Sequence, residues 1–400
     1  MKARQPIALL TLLLGCQEEP AAPVTPATGN DPVQDDEAEI IEPEGDWPVL
    51  ADLDSKLEEI MEASHIPGLS ACIIQEAELT WCGAYGWANI DTKQAVQTDT
   101  PFMLASISKL FTSTALMQLW EDELFALDDP VSSSLDFPFD HPSDDTPITY
   151  RQLLSHVGGV RDNWDVMNPL YVDGDSPIDL GDFMADYYDP EGSYYHESRN
   201  WVSSGVEQQM VYTNMGFALL GHLVEQLSGE GFPSFCQDRI FDPLEMGQTA
   251  WHLASLDEAT VAMPYIWSGG AYQATGHYGY PDYPNGGLRT GAEQLARFMA
   301  MAMGGGEYRS TRILEEETFI EMLTAHYPDL DDTQGLSWYT WSLDGEAIWG
   351  HDGGDVGVAT GAGIRWSDET GFVFLMNSSG TRSDTFVRLE RALLEGAAEL

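Results

Sequence analysis

The chain has 400 residues, 43% of them hydrophobic, enough for one large domain with a sizeable core. Seventeen basic residues stand against 66 acidic ones, a formal net charge of −49. Such a polyanion repels nucleic acid and anionic lipid headgroups, so nucleic-acid binding and a basic membrane-surface patch are excluded. The acidity itself has two readings: a solvated surface suited to a salty habitat, or capture of a cationic substrate.

Lys2 and Arg4 precede an apolar run, Ile7 to Leu14, of signal-peptide length and too short to span a bilayer. It ends in Leu13-Leu14-Gly15-Cys16, which resembles the lipobox of bacterial lipoproteins. The resemblance implies that residues 1–16 are an export signal and that Cys16 carries the lipid. The protein is then exported and anchored to a bacterial membrane on its periplasmic or cell-surface face. Residues 17–47 hold ten acidic residues, no Lys or Arg, and four prolines between Pro20 and Pro32. They bury too little apolar area to offset ordering entropy and read as a disordered tether. Residues 48–400 are the folded domain.

Leu50, Leu53, Leu57, Ile60 and Met61 repeat at helical spacing, which predicts a helix over 50–64, closed by Pro67-Gly68. Two β-rich runs, 69–75 and 79–87, flank Glu76-Ala77-Glu78 as a hairpin. A three-residue turn there puts Cys72 directly opposite Cys82, within disulfide reach; a two-residue turn puts them out of register. Cys236 is left as a buried thiol. Residues 102–120 contain no Pro or Gly and predict a long buried helix. The chain is loop-rich and aromatic from 121 to about 205. Helices follow at 216–227, stopped by Gly229, and at 292–303. Strands are predicted at 336–343, 346–350, 359–366 and 371–376, and an amphipathic helix at 383–399. A sheet built from both chain ends, with a helical insertion between them, fits this order.

Only four lysines occur, and Lys109 alone has an apolar setting, Phe102 to Phe111. Ser106 lies three residues before it, so on a helix the two share a face. A neutral amine beside a hydroxyl activates it as a nucleophile. Taken singly, S-x-x-K reads more often as a surface lysine near an incidental serine. Tyr212-Thr213-Asn214 precedes an apolar helix; a Tyr near a cation can serve as a base, and Asn214 offers a donor and an acceptor. In isolation this tripeptide reads as a core Tyr and a capping Asn. Gly350-His351-Asp352-Gly353-Gly354 ends a predicted strand and reads either as a tight turn or as a place where substrate backbone approaches closely. The chain shows no H-E-x-x-H and no C-x-x-C, so no metal or other cofactor is expected.

S-x-x-K, Y-x-N and H-x-G in this order resemble the serine β-lactamase and penicillin-recognising family, in its branch of class C β-lactamases, D-Ala-D-Ala carboxypeptidases and esterases. Ile148 to Gly159, Ile240 to Met246 and Gly286-Gly287-Leu288 resemble the family's flanking stretches, so the likeness runs from about 50 to 380. It implies an α+β, β-lactamase/transpeptidase-like fold. A central antiparallel sheet would carry the N- and C-terminal helices on one face and a helical subdomain on the other. It implies a serine hydrolase acting on a small-molecule or peptide substrate through an acyl-enzyme on Ser106; a monomer is expected. Lys109 and Tyr212 would share the base work, the N–H groups of Ser106 and Gly354 would form an oxyanion hole, and Asn214, His351 and Gly353 would bind substrate. His156 is read as structural. The expected substrates are esters or D-amino-acid amides and peptides; the alternatives are a true β-lactamase, or a lipoprotein that binds wall peptides without turnover. Residues 163–209 exceed the family's usual link, and Tyr194, Tyr195 and Trp201 within them read equally as a lid or a plain surface loop.

Overall fold

The computed structural model describes residues 47–379 and 382–400. The export signal, Cys16 and nearly all of the acidic tether lie outside the described residues. Trp47, read as the tether's last residue, packs against the domain core.

Helix α1 (Ala51–Ser64) leads into β1 (Gly68–Gln75), β2 (Glu78–Asn89) and β3 (Gln94–Ala95). After the central region come β4 (Tyr339–Leu343), β5 (Glu346–Asp355), β6 (Val358–Arg365) and β7 (Thr370–Met376), then a closing helix, Thr385–Gly396. They form one antiparallel seven-stranded sheet in the order β4-β5-β6-β7-β1-β2-β3. Strands from the two chain ends therefore meet at β7 and β1, with Leu69 opposite Met376.

The runs GLSACII and GFVFLM are apolar without alternation because these central strands are covered on both faces. Leu69, Ala71, Ile73, Phe372 and Phe374 pack with Leu53, Leu57, Leu389 and Leu393 of the terminal helices. Cys72, Ile74, Val373 and Leu375 point to the other face, into a core shared with the central helices. These include α2 (Ser108–Glu121), α3 (Asn214–Ser228) and α4 (Ala292–Met303). Among the described residues, no helix is long and apolar enough to cross a membrane.

The β1–β2 hairpin turns on two residues, Glu76 and Ala77, both at positive φ. That turn alone would put Cys72 and Cys82 out of register. A bulge restores it: Ile74 pairs with Leu79 and Ile73 with Trp81, leaving Thr80 unpaired. Cys72 then faces Cys82, bonded, with a Cα separation of 4.1 Å. Cys236 is a buried free thiol.

Two predicted elements differ. The helix expected from 102 begins only at Ser108: Phe102 and Met103 pair with Thr290 and Arg289, and Ala105 takes φ +49°, which no α-helix accommodates. The strand expected to end at Gly350 runs on to Asp355, so H-x-G lies inside a strand and not in a turn. The insertion is also no simple loop or lid. Trp201 is buried against Phe139 and Tyr188, and residues Leu180–Tyr188 form a helix capped by Asp179.

Candidate active site

Three elements converge on Ser106. The residue sits in a single tight turn, Ala105–Ile107, that feeds α2, half-buried among buried neighbours. Ala105 before it is held in the left-handed region, a conformation that costs an alanine energy and is retained where the surroundings demand it. The next helical turn brings Lys109 back onto Ser106, Nζ donating to Oγ at 3.2 Å. Nζ also donates to the Asn214 Oδ1 and to the Asn285 carbonyl, each at 2.8 Å, and lies 4.9 Å from the centre of the Tyr212 ring. Lys109 is fully buried, and desolvation lowers its pKa to about 7, although Asp162, Asp282 and Asp355 each favour the ammonium form.

Tyr212 and Asn214 are presented by the start of α3, where Thr213 caps the helix through the Gly216 N–H (3.2 Å). Gly229, at φ +74°, ends that helix as expected. The Tyr212 hydroxyl faces Ser106, yet it is buried without a well-aligned hydrogen bond to any described group. Burial pushes its pKa up, with Asp352 and Asp162 adding to the rise and Ser106 only partly opposing it. The phenolate expected from a nearby cation is therefore not favoured here. His156 accepts the Thr213 N–H at Nδ1 (3.2 Å) and packs on Tyr212, which gives it a positioning place behind the Tyr motif.

The third wall is β5. A Cβ on Gly353 would lie 2.3 Å from the Leu104 carbonyl and 3.1 Å from the Ser106 nitrogen, so only glycine lets the strand press onto the Ser106 turn. The Asp352 N–H donates to the Tyr339 hydroxyl on β4 (3.2 Å), and N–H groups two residues apart along a strand point the same way. Pairing with β4 stops at Gly350. The Gly354 N–H therefore faces the open edge beside Ser106, and Gly354 is exposed. His351 is fully buried, its Nδ1–H donating to the Asp352 carbonyl (2.5 Å), its Nε2 without a partner, its ring edge-on to Tyr339. Burial first, then Lys109, lowers its pKa to about 4, so the imidazole is neutral.

Sequence reasoning missed several residues. Asp162, just before the insertion, accepts from the Thr213 hydroxyl (2.9 Å), the N–H groups of Asn214 (2.8 Å) and Met215 (3.0 Å), and the Asn214 Nδ2 (2.9 Å). It thereby fixes the amide so that Oδ1 faces Lys109. Asn285 contributes a backbone carbonyl, for which no side-chain pattern exists. Asp355, Tyr171 and Tyr280 gather beyond Gly354; an acid directly after H-D-G-G was the one visible sign of them.

These features define a serine–lysine–tyrosine site on an α+β scaffold. A family model described as Beta-lactamase matches residues 53–397, and the chain belongs to that family. Penicillin-binding protein 4 of Amycolatopsis lactamdurans is 25% identical over 355 residues, which are 82% of this chain and 85% of that one. Protein flp of Staphylococcus aureus is 22% identical over 249 residues, 62% of this chain but only 47% of its own length. Among solved structures, the D-amino acid amidase of Ochrobactrum anthropi superposes with a TM-score of 0.68 at 20% identity, covering 87% of this chain and 99% of that one. The octameric penicillin-binding protein homologue of Pyrococcus abyssi gives 0.67 at 23%, covering 86% and 77%. These structures establish a β-lactamase/transpeptidase-like fold.

Proposed function

We propose that the protein is a serine hydrolase that forms an acyl-enzyme on Ser106 and cleaves esters or D-amino-acid amides. The observation that carries this reading is the buried Lys109, with its amine on Ser106 and a pKa of about 7. At neutral pH a large share of the amine is unprotonated and can take the Ser106 proton as the hydroxyl attacks the carbonyl. Tyr212, kept protonated by burial, serves as a proton donor to the leaving group and is then reprotonated from Lys109. The Ser106 and Gly354 N–H groups stabilise the oxyanion, and Asn214 holds Lys109 and the acyl side of the substrate. Water then resolves the ester and restores Ser106. The amidase neighbour supports the class of bond; a wall-peptide binder without turnover would not require a lysine tuned in this way.

His351 argues against β-lactams as the best substrates. A neutral buried imidazole supplies no fixed charge for a substrate carboxylate, and the chain's excess of acid repels anions. We expect p-nitrophenyl butyrate or a D-alanyl amide to show a higher kcat/KM than nitrocefin, and His351→Lys to narrow the gap. Nitrocefin as the best substrate of the wild type would make this a working β-lactamase instead.

Anchoring belongs to the same reading. The exported protein should partition with membranes as a lipidated monomer, and Cys16→Ala should release it or block its processing. Fractionation of the expressing cells and light scattering of the solubilised protein check both; wild type recovered soluble after export would refute the anchor.

A further inference from the structure

Arg289 pairs with Met103 just ahead of the Ser106 turn, and it is only 2% exposed. Its guanidinium donates to the carbonyls of Gly287 (3.2 Å) and Tyr278 (2.6 Å). Among the described residues, no carboxylate lies within ion-pair distance of it. Elsewhere on the molecule arginines hold carboxylates, as Arg151, Arg365 and Arg391 do. Asp175 acts on Arg289 from farther away. Its oxygens accept the N–H groups of Leu253 (2.7 Å) and Ala254 (2.8 Å) instead. A guanidinium cannot shed its charge as Lys109 does, so a buried one either finds a counter-charge or bears the cost of burial.

Arg289 stands in the wall between two small cavities. One is lined by Trp251, His252 and Tyr280, the other by Met103, His277 and Tyr278. Each has room for little more than a water-sized occupant. Each also brings one imidazole close enough for the guanidinium charge to weigh on it. The His252 Nδ1 is 4.0 Å from the Asp175 carboxylate, beyond hydrogen-bond distance. A fixed cation, an imidazole and a space of that size suit one small monovalent anion; a phosphate, or a carboxylate trailing a longer chain, is too large.

We propose that Arg289 and His252 bind a chloride ion in the cavity between them, and that the ion braces the segment from Tyr278 to Thr290 against the catalytic turn. That segment carries Asn285, whose carbonyl holds Lys109 at 2.8 Å, and Leu288, whose carbonyl accepts the Leu104 N–H at 2.8 Å. Tyr278 and Tyr280, at its start, pack with Met103 and Ala105. The chain's excess of acid opposes an incoming anion from a distance, and dissolved salt screens that opposition while it supplies the ion.

The test measures Tm, and kcat/KM for p-nitrophenyl butyrate, in sodium chloride and in sodium gluconate at equal concentrations. Both salts screen the acidic surface alike, but gluconate is too large for the cavity. Wild-type Tm should stand a few degrees higher in chloride, with an excess that grows with the logarithm of its concentration, as for a ligand bound by the folded state alone. Its kcat/KM should rise along a saturating curve by about fivefold, the low end of couplings between sites. Arg289→Gln should erase the difference between the salts in both readouts. Wild-type crystals grown in bromide should show an anomalous peak against the Arg289 guanidinium, which decides the matter even if the variant does not fold. Equal Tm values in the two salts, a chloride excess that survives in Arg289→Gln, or bromide bound only elsewhere overturns the site. A chloride excess in Tm with an unchanged kcat/KM overturns the brace. The Tm and diffraction readouts need no substrate, so they stand apart from the assignment of Ser106.

Discussion

Ser106→Ala is expected to abolish turnover of p-nitrophenyl butyrate with the fold intact, and Lys109→Ala to lower kcat/KM by about 10²–10⁴-fold. The two differ in kind. Ser106 supplies the atom that is acylated, and its half-buried hydroxyl can be deleted without opening a large cavity. Lys109 supplies the base, and its three hydrogen bonds join Ser106, α3 and the Asn285 loop. The pH profile distinguishes a base from a mere brace. Only the neutral amine can accept the Ser106 proton, so wild-type kcat/KM should climb as pH rises through about 7 and level off above it. A lysine at its ordinary value of 10.5 would still be climbing at pH 9, and such a profile would contradict the assignment of Lys109 as the base.

Asp162→Ala should cost both stability and activity. The carboxylate accepts four hydrogen bonds, two of them from the first N–H groups of α3. Deleting it strands those donors at the positive end of a helix, at about 1–3 kcal/mol for an unsatisfied buried group. The Tm should fall by several degrees. Asn214 would also lose the partner that turns its Oδ1 towards Lys109. Asp162→Asn keeps the shape and removes the charge, so it isolates the electrostatic part. Because Asp162 favours the Lys109 ammonium, its neutralisation should lower the amine's pKa and move the rising limb to lower pH. A limb displaced to higher pH, or a variant with wild-type Tm and rate, would remove Asp162 from the machinery.

What the sequence discloses of this site follows from how local each feature is. S-x-x-K is legible because a helical turn closes it over three residues, whatever the rest of the chain does. The Tyr212 and His351 motifs are legible only through their order and flanks, since each alone reads as ordinary structure. The Cys72–Cys82 register was open because turn length and bulge act together: the observed two-residue turn would have separated the cysteines, and the extra residue at Thr80 rejoins them. Asp162 stands 52 residues from Asn214, and no spacing rule joins them. Trp201 looks like a lid residue by composition, but it is core because Phe139 and Tyr188 enclose it, a contact set by tertiary packing alone.

Labelling with a fluorophosphonate, followed by mapping of the adduct by mass spectrometry, tests the central claim most directly. The reagent needs only an activated serine beside an oxyanion hole and makes no demand on the unknown substrate. A single adduct on Ser106, lost in Lys109→Ala and forming faster as pH rises through about 7, is the predicted result. An adduct on any other serine, or none on the folded wild type, would contradict it.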